Sequence, residues 1–348
     1  MKKLLLTTAL AGATLVASNA IAQTTVSGNL DIAFKAASVE GTGNSTSTNS
    51  YRGFGKEAQI NIQNKGKLSN GMDYAAGFSL EDDGNQDATN FNENTFIDII
   101  SGNTTISISQ DHIQNSDRTL GNFLGLPAED LDNSTAGVGF SKDDIFISTP
   151  ALNTAAGYGF AVVQKTPVGS FSVLYTPDTA AVGDDDMGSD STNESAYEIG
   201  FVGDLGVKGL SVHAFMAKAD KSDASTSIRD PKSTNLGLAY NFGQVSVGYN
   251  YKKSELTTAA SGTTASEEKQ NEFGLAYAVT PAITIGANYT KAESNAPSLT
   301  ADAKSKSLSV GYNLGAIALT AQAAQLENYT GSAGVDMDVL YLRASTKF

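Results

Sequence analysis

The sequence predicts an all-β fold: a closed antiparallel transmembrane β-barrel of about 16 strands, with its third external loop folded inward. Three observations carry that expectation. Short segments alternate apolar with small or polar side chains through most of the 348 residues. Tight joints and long polar connections take turns between those segments. The chain also stops on an aromatic, Phe348, at the end of an amphipathic stretch, residues 339–348.

That last stretch shows the pattern best. Leu340, Leu342, Ala344 and Thr346 fall on one face; Val339, Tyr341, Arg343, Ser345 and Lys347 fall on the other. Side chains in a strand alternate with a period of two. One face is therefore suited to an apolar medium and the other, with both charges, to a wet one.

Composition limits the alternatives. Cysteine and tryptophan are absent, so disulfides, zinc–thiolate clusters and cysteine nucleophiles are excluded. Lys2 and Lys3 precede a short apolar run, residues 4–16, and Ala20-Ile21-Ala22 forms a small–x–small cleavage pattern. Residues 1–22 thus read as a secretory signal peptide and 23–348 as a single barrel. The apolar run falls short of the ~20 residues a spanning helix needs. The formal charge is −14, and loss of Lys2 and Lys3 with the leader lowers it to −16. So acidic a chain disfavours nucleic acid as a partner, because nucleic-acid binders carry basic patches. It favours small cations as partners, or simple solubility of loops.

In chain order, Val26, Gly28, Leu30, Ile32 and Phe34 make an apolar row against Ser27, Asn29, Asp31 and Lys35. Ala58, Ile60 and Ile62 oppose Glu57, Gln59 and Asn61, and Tyr74, Ala76, Phe78 and Leu80 oppose Asp73, Gly77 and Ser79. Residues 95–100 carry bulk on both faces, and 105–110 make a weak strand. Further strands follow around Phe171, Tyr197 and Leu210. From Leu236 the alternation is regular: Leu236, Leu238, Tyr240 and Phe242, then Val245 to Tyr251, then Phe273 to Val279, Ile283 to Tyr289, Leu308 to Leu314 and Ile317 to Ala323, each with small or polar partners. Joints at 241–243, 280–281 and 314–315 are tight. Those at 221–231, 254–269 and 292–303 read as long, polar loops. Short turns on one rim and long loops on the other are a barrel's habit. In hydrocarbon an unpaired sheet edge is too costly to leave, so the first strand must pair with 339–348.

One connection is out of scale. Residues 111–157 carry apolar anchors, among them Leu120, Phe123, Leu124, Leu126 and Leu131. A solvated loop does not need these, and one this long inside a compact fold is functional or disordered. It is expected to fold against protein inside the barrel.

The chain resembles the general trimeric porins of Gram-negative bacteria over its full length. Thr25-Val26-Ser27-Gly28-Asn29-Leu30-Asp31 is similar to that family's first strand, 96–109 to the hairpin before the third loop, and 162–173 to the hairpin after it; the end, Leu342-Arg343 to Phe348, is similar to the closing strand. Leu126-Pro127-Ala128-Glu129-Asp130 resembles the acidic tip of the loop that narrows the pore. The resemblance implies Glu129, Asp130 and Asp132 as constriction acids, Phe348 as an assembly signal, a homotrimer, and an outer-membrane location among lipid and lipopolysaccharide. The facing wall departs from the family pattern, which often sets several arginines on the first strands. Here Asp31, Lys35 and Arg343 are the wall candidates, so the constriction is expected to be net negative and cation-preferring.

Other chemistry is thin. His112 and His213 are the only histidines. Ser211 shares a strand face with His213, but no third member of a catalytic set is visible, and the chain is read as no enzyme. The acidic runs Asp184-Asp185-Asp186 and Glu81-Asp82-Asp83 could take calcium, yet neither has an EF-hand's ligand register, and solvated charge explains both. No cofactor is implied. The expected function is passive diffusion of small hydrophilic solutes and ions. Two rivals stand beside it: a sugar-selective channel with Phe215 as its aromatic track, and a structural or adhesive barrel without an open pore.

Overall fold

A computed structural model describes residues 22–41, 49–82, 93–110, 112–113, 124–127, 158–177, 195–219, 229–257, 264–295 and 300–348. Sixteen strands form one closed antiparallel barrel in which each pairs with its neighbours in sequence and β1 closes on β16. They are β1 (Gln23–Gly41), β2 (Asn49–Lys67), β3 (Asp73–Asp82), β4 (Glu93–Ser101), β5 (Thr104–Ser109), β6 (Gly159–Thr166), β7 (Gly169–Thr176) and β8 (Ala196–Gly203). The second half holds β9 (Leu210–Ala219), β10 (Arg229–Asn241), β11 (Val245–Thr257), β12 (Thr264–Thr280), β13 (Ile283–Ser294), β14 (Ala303–Asn313), β15 (Ile317–Glu327) and β16 (Val335–Lys347).

The alternation is inverted relative to a water-soluble protein. Leu30, Ile32, Ile60, Ile97, Ile106, Val162, Ile199, Leu238, Leu275 and Leu342 stand exposed on the outer face, while Ser107, Asn235, Asn250, Gln270, Ser309 and Gln322 are buried on the inner one. An outer apolar surface and a polar interior suit a barrel whose outer solvent is hydrocarbon. Closure pairs every strand edge, as that solvent demands. Cross-strand aromatic pairs stiffen the outer face: Phe34 with Phe54, Phe171 with Phe201 and Tyr249 with Phe273, at 5.1, 4.8 and 4.8 Å between centroids.

The seam registers Asn29 opposite Lys347 and Gly41 opposite Val335. Phe348 adds one more rung, because its N–H donates to Gly28 O (3.0 Å) and its O accepts from Gly28 N–H (2.8 Å). The exposed Phe348 ring lies over Gly28, where a Cβ would come within 2.6 Å of it.

Two expectations change. The connection at 254–269 is mostly strand, because the β11–β12 ladder runs up to Thr257 opposite Thr264, while 292–303 gives only its ends to strands, with Ala292 opposite Ala303 as the last β13–β14 pair. Apolar alternation stops there but hydrogen bonding does not, because side-chain ion pairs replace the apolar band. Lys253 bridges Glu255 (2.6 Å) and Glu267 (2.9 Å), and Lys306 reaches Glu327 (2.7 Å). Secondly, the inner face of β16 is wet only towards its end. Val335, Met337, Val339 and Tyr341 join Ala33, Ala37, Val39, Ala324 and Leu326 in a buried apolar cluster. The alanines leave room for the larger Tyr341 and Met337 across the seam.

Candidate functional site: the pore constriction

The chain leaves β5 and turns inward. His112 stacks on Phe96 at 3.7 Å and 4° between planes, and its Nε2 lies 3.3 Å from Asp98 Oδ2. Ile113 packs on the buried Ala161 and Leu174. The root of the loop is thus held on the inner faces of β4, β6 and β7.

The next described segment, residues 124–127, rests on the opposite wall. Leu124 and Leu126 pack on Ala239 of β10. Pro127 sits over two glycines of β13 and β14. A Cβ on Gly286 would approach Pro127 Cδ to 2.8 Å and Leu126 Cδ2 to 2.9 Å, and one on Gly311 would reach Pro127 Cβ at 3.0 Å. Thr320 Oγ1 of β15 donates to Pro127 O at 3.4 Å. The two described segments of the β5–β6 connection therefore rest on opposite walls of the lumen. Beside its tip lies a cavity of about 560 Å³ lined by Gly125, Pro127, Asn29, Asp31, Thr284, Asn313, Thr320, Arg343, Ser345 and Lys347.

Strand register settles which charges face inward. Asp31 is opposite Glu57, Gln59 opposite Glu81, and Asp98 opposite Ser107, all on the inner face. Glu198, Glu268 and Glu272 follow on β8 and β12. The inner-facing bases at those heights are Lys35, Lys252 and Arg343. Among the described residues, then, acids outnumber bases on the wall of the bore. The short-turn rim differs: Lys65, Lys165 and Lys347 face inward there, and Lys67 is paired with Asp73 at 2.6 Å.

Three of the sequence candidates meet at the seam. Asp31 and Arg343 line the cavity, half-buried. Lys35 shares their face but is 1% exposed and already engaged by a partner, so its charge does not meet water. Glu129, Asp130 and Asp132 lie outside the described residues, as do Asp184, Asp185 and Asp186.

The other histidine belongs to the wall. His213 Nε2 is 3.0 Å from both Asn235 Oδ1 and Asn250 Oδ1. Asn250 Nδ2 donates to Glu272 Oε2 at 2.8 Å, which fixes the way that amide faces. Two acceptors on one ring nitrogen place the proton on Nε2. Gln270 Nε2 closes the network on the other Glu272 oxygen. The His213 ring lies over Gly237 and the Phe215 ring over Gly200, where added Cβ atoms would come within 2.3 and 2.4 Å. Phe215 is 1% exposed and offers no sliding surface. Ser211 takes no part in this network.

The chain matches a family model described as Gram-negative porin over residues 7–331. It belongs to the Gram-negative porin family. Solved porins share the fold at low identity. The anion-selective porin from Comamonas acidovorans superposes with a TM-score of 0.67 at 15% identity, covering 94% of this chain and 100% of that one. OmpT of Vibrio cholerae, in its trimer form, gives 0.61 at 12% identity over 94% and 99%. A mutant of the Rh. blastica porin gives 0.60 at 13% over 94% and 100%. No curated protein matches.

In this porin the sequence missed the glycine floor under the loop tip. Gly286 and Gly311 occupy the polar-face positions of ordinary alternating strands, and nothing local marks them as contact points. Two glycines one strand apart and directly inward were the available hint. The His213 network was also missed, since its members come from four strands.

Proposed function

We propose that this porin forms a water-filled, cation-preferring channel for passive diffusion of small hydrophilic solutes and ions across the outer membrane. The observation that carries the reading is the wall itself: the half-buried Asp31, Glu57 and Glu81 face inward against Lys252 and Arg343, while Lys35, Asp98, Glu198, Glu268 and Glu272 are buried in it. Acids arranged around a narrow bore attract cations, and low-dielectric walls strengthen the effect. Selectivity lives in such side chains rather than in the fold, so likeness to an anion-selective porin is no obstacle.

The same reading takes the chain as a homotrimer set among lipid and lipopolysaccharide, with its leader cut after Ala22. The acidic external loops are read as solvated charge, and calcium bound there in a titration would overturn that part of the reading. The sugar-channel rival is weakened by Phe215, which is buried under the wall's own packing.

The test is the reversal potential of the reconstituted channel across a KCl gradient. A potential of the sign set by K⁺ permeation is expected. Anion selectivity would overturn the reading.

A further inference from the structure

The cavity beneath the loop tip holds two opposite charges that do not meet. Asp31 is opposite Ser345, and Arg343 is opposite Ala33, so the two are diagonal neighbours on one inner face. Side chains this long reach each other at that spacing. Yet neither makes a hydrogen bond or an ion pair among the described residues. Asp31 Oδ1 and Arg343 Nε are each shielded from solvent without a partner. Shielded charged atoms without partners are rare, because the desolvation they suffer goes uncompensated. Asp98 Oδ1 and Glu268 Oε2 are shielded in the same way, whereas the lysines Lys253, Lys291, Lys304 and Lys306 each hold a carboxylate.

Both groups open on the same 560 Å³ space, with Gly125 and Pro127 above and Lys347 at its lower edge. Asn29 and Ser345 add neutral hydrogen-bonding groups beside the charges. A guanidinium suits a carboxylate, which it grips with paired N–H donors. A carboxylate beside it suits an ammonium.

We propose that this cavity is a transient binding site for small amino carboxylates, amino acids and short peptides, in passage through the pore. Arg343 takes the carboxylate, Asp31 takes the ammonium, and Lys347 takes a second carboxylate where the ligand has one. An acidic amino acid is therefore held longest. The proposal rests on the reading of an open channel and specifies a solute class for it.

The test uses the full channel in a planar bilayer at low salt, where brief current interruptions report residence of a solute. Glutamate is expected to interrupt the current for longer than succinate, which lacks the ammonium. Arg343→Gln is expected to shorten glutamate residence about tenfold, the change that loss of one charge-assisted hydrogen bond produces. Arg343→Lys is expected to restore part of it. Asp31→Asn is expected to erase the difference between glutamate and succinate. Succinate held as long as glutamate in the unaltered channel, or residence unchanged in both Arg343→Gln and Asp31→Asn, overturns the site. An open channel showing no interruptions also overturns the site and leaves the channel reading standing. A silent bilayer overturns both.

Discussion

Two sectors of the inner wall carry polar side chains and use them in opposite ways. Across β9–β12, His213, Asn235, Asn250, Gln270 and Glu272 are buried and spent on one another. At the β16–β1 seam, Asp31 and Arg343 lie beside a cavity with no partner among the described residues. Both sectors read alike as alternating strands. They differ in what stands between the polar groups. In the first, glycines at 200 and 237 let two rings lie flat and bring the network into contact. In the second, the loop tip holds a space open. Polarity on an inner face is thus wall where packing closes over it and site where it does not.

Changes to the two sectors should separate them. The largest effect is expected from Gly237→Val. The added methyls would meet the His213 ring, already within 2.3 Å of a Cβ there, and Asn235 and Asn250 hold that ring in place. Folded, heat-modifiable barrel should be nearly lost on denaturing gels. A normal yield would show that the ring is free to move. Next in size is deletion of Phe348, which removes two hydrogen bonds of the closing rung. Outer-membrane yield is expected to fall sharply, and an unaltered yield would refute the role of Phe348 as assembly signal.

Gly311→Val is expected to act on the loop rather than the barrel, because the atom it would meet belongs to Pro127. The barrel should assemble, and single-channel conductance should rise roughly twofold as the tip leaves its seat, since the narrowest ring sets the flux. An unchanged conductance would show that the tip does not set the bore. The smallest effects come from paired substitutions. Glu272→Gln should cost about 1–3 kcal/mol of stability, because buried donors lose a charged acceptor. Arg343→Gln should stay within about 0.5 kcal/mol, as expected of a group that holds nothing in place. Denaturant midpoints compare the two directly, and equal losses would erase the distinction between wall and site.

Much of the fold was legible because period-two alternation is local. Leu236 to Tyr251 and Phe273 to Tyr289 announce their faces residue by residue, and the tight joints at 241–243 and 280–281 announce their rim. Strand ends were less legible. Beyond Lys253 and Lys291 the apolar signal stops while the ladder continues, held by backbone hydrogen bonds and ion pairs that any polar sequence can make. The site was legible in part. Arg343 and Asp31 showed their face, but not that they share a cavity or lack partners.

The sequence by itself determined the class of fold, the strand count, the seam between the two ends of the barrel and the inward direction of Asp31 and Arg343. All of these follow from alternation, which each strand carries alone. Only the tertiary structure decided that Lys35 is buried and spent, that Pro127 rests on Gly286 and Gly311, and that His213 is locked to Glu272 through Asn250. These are contacts between strands or across the lumen, between residues up to 193 positions apart. Closure of the barrel brings them together, and no local pattern encodes a distance across a pore.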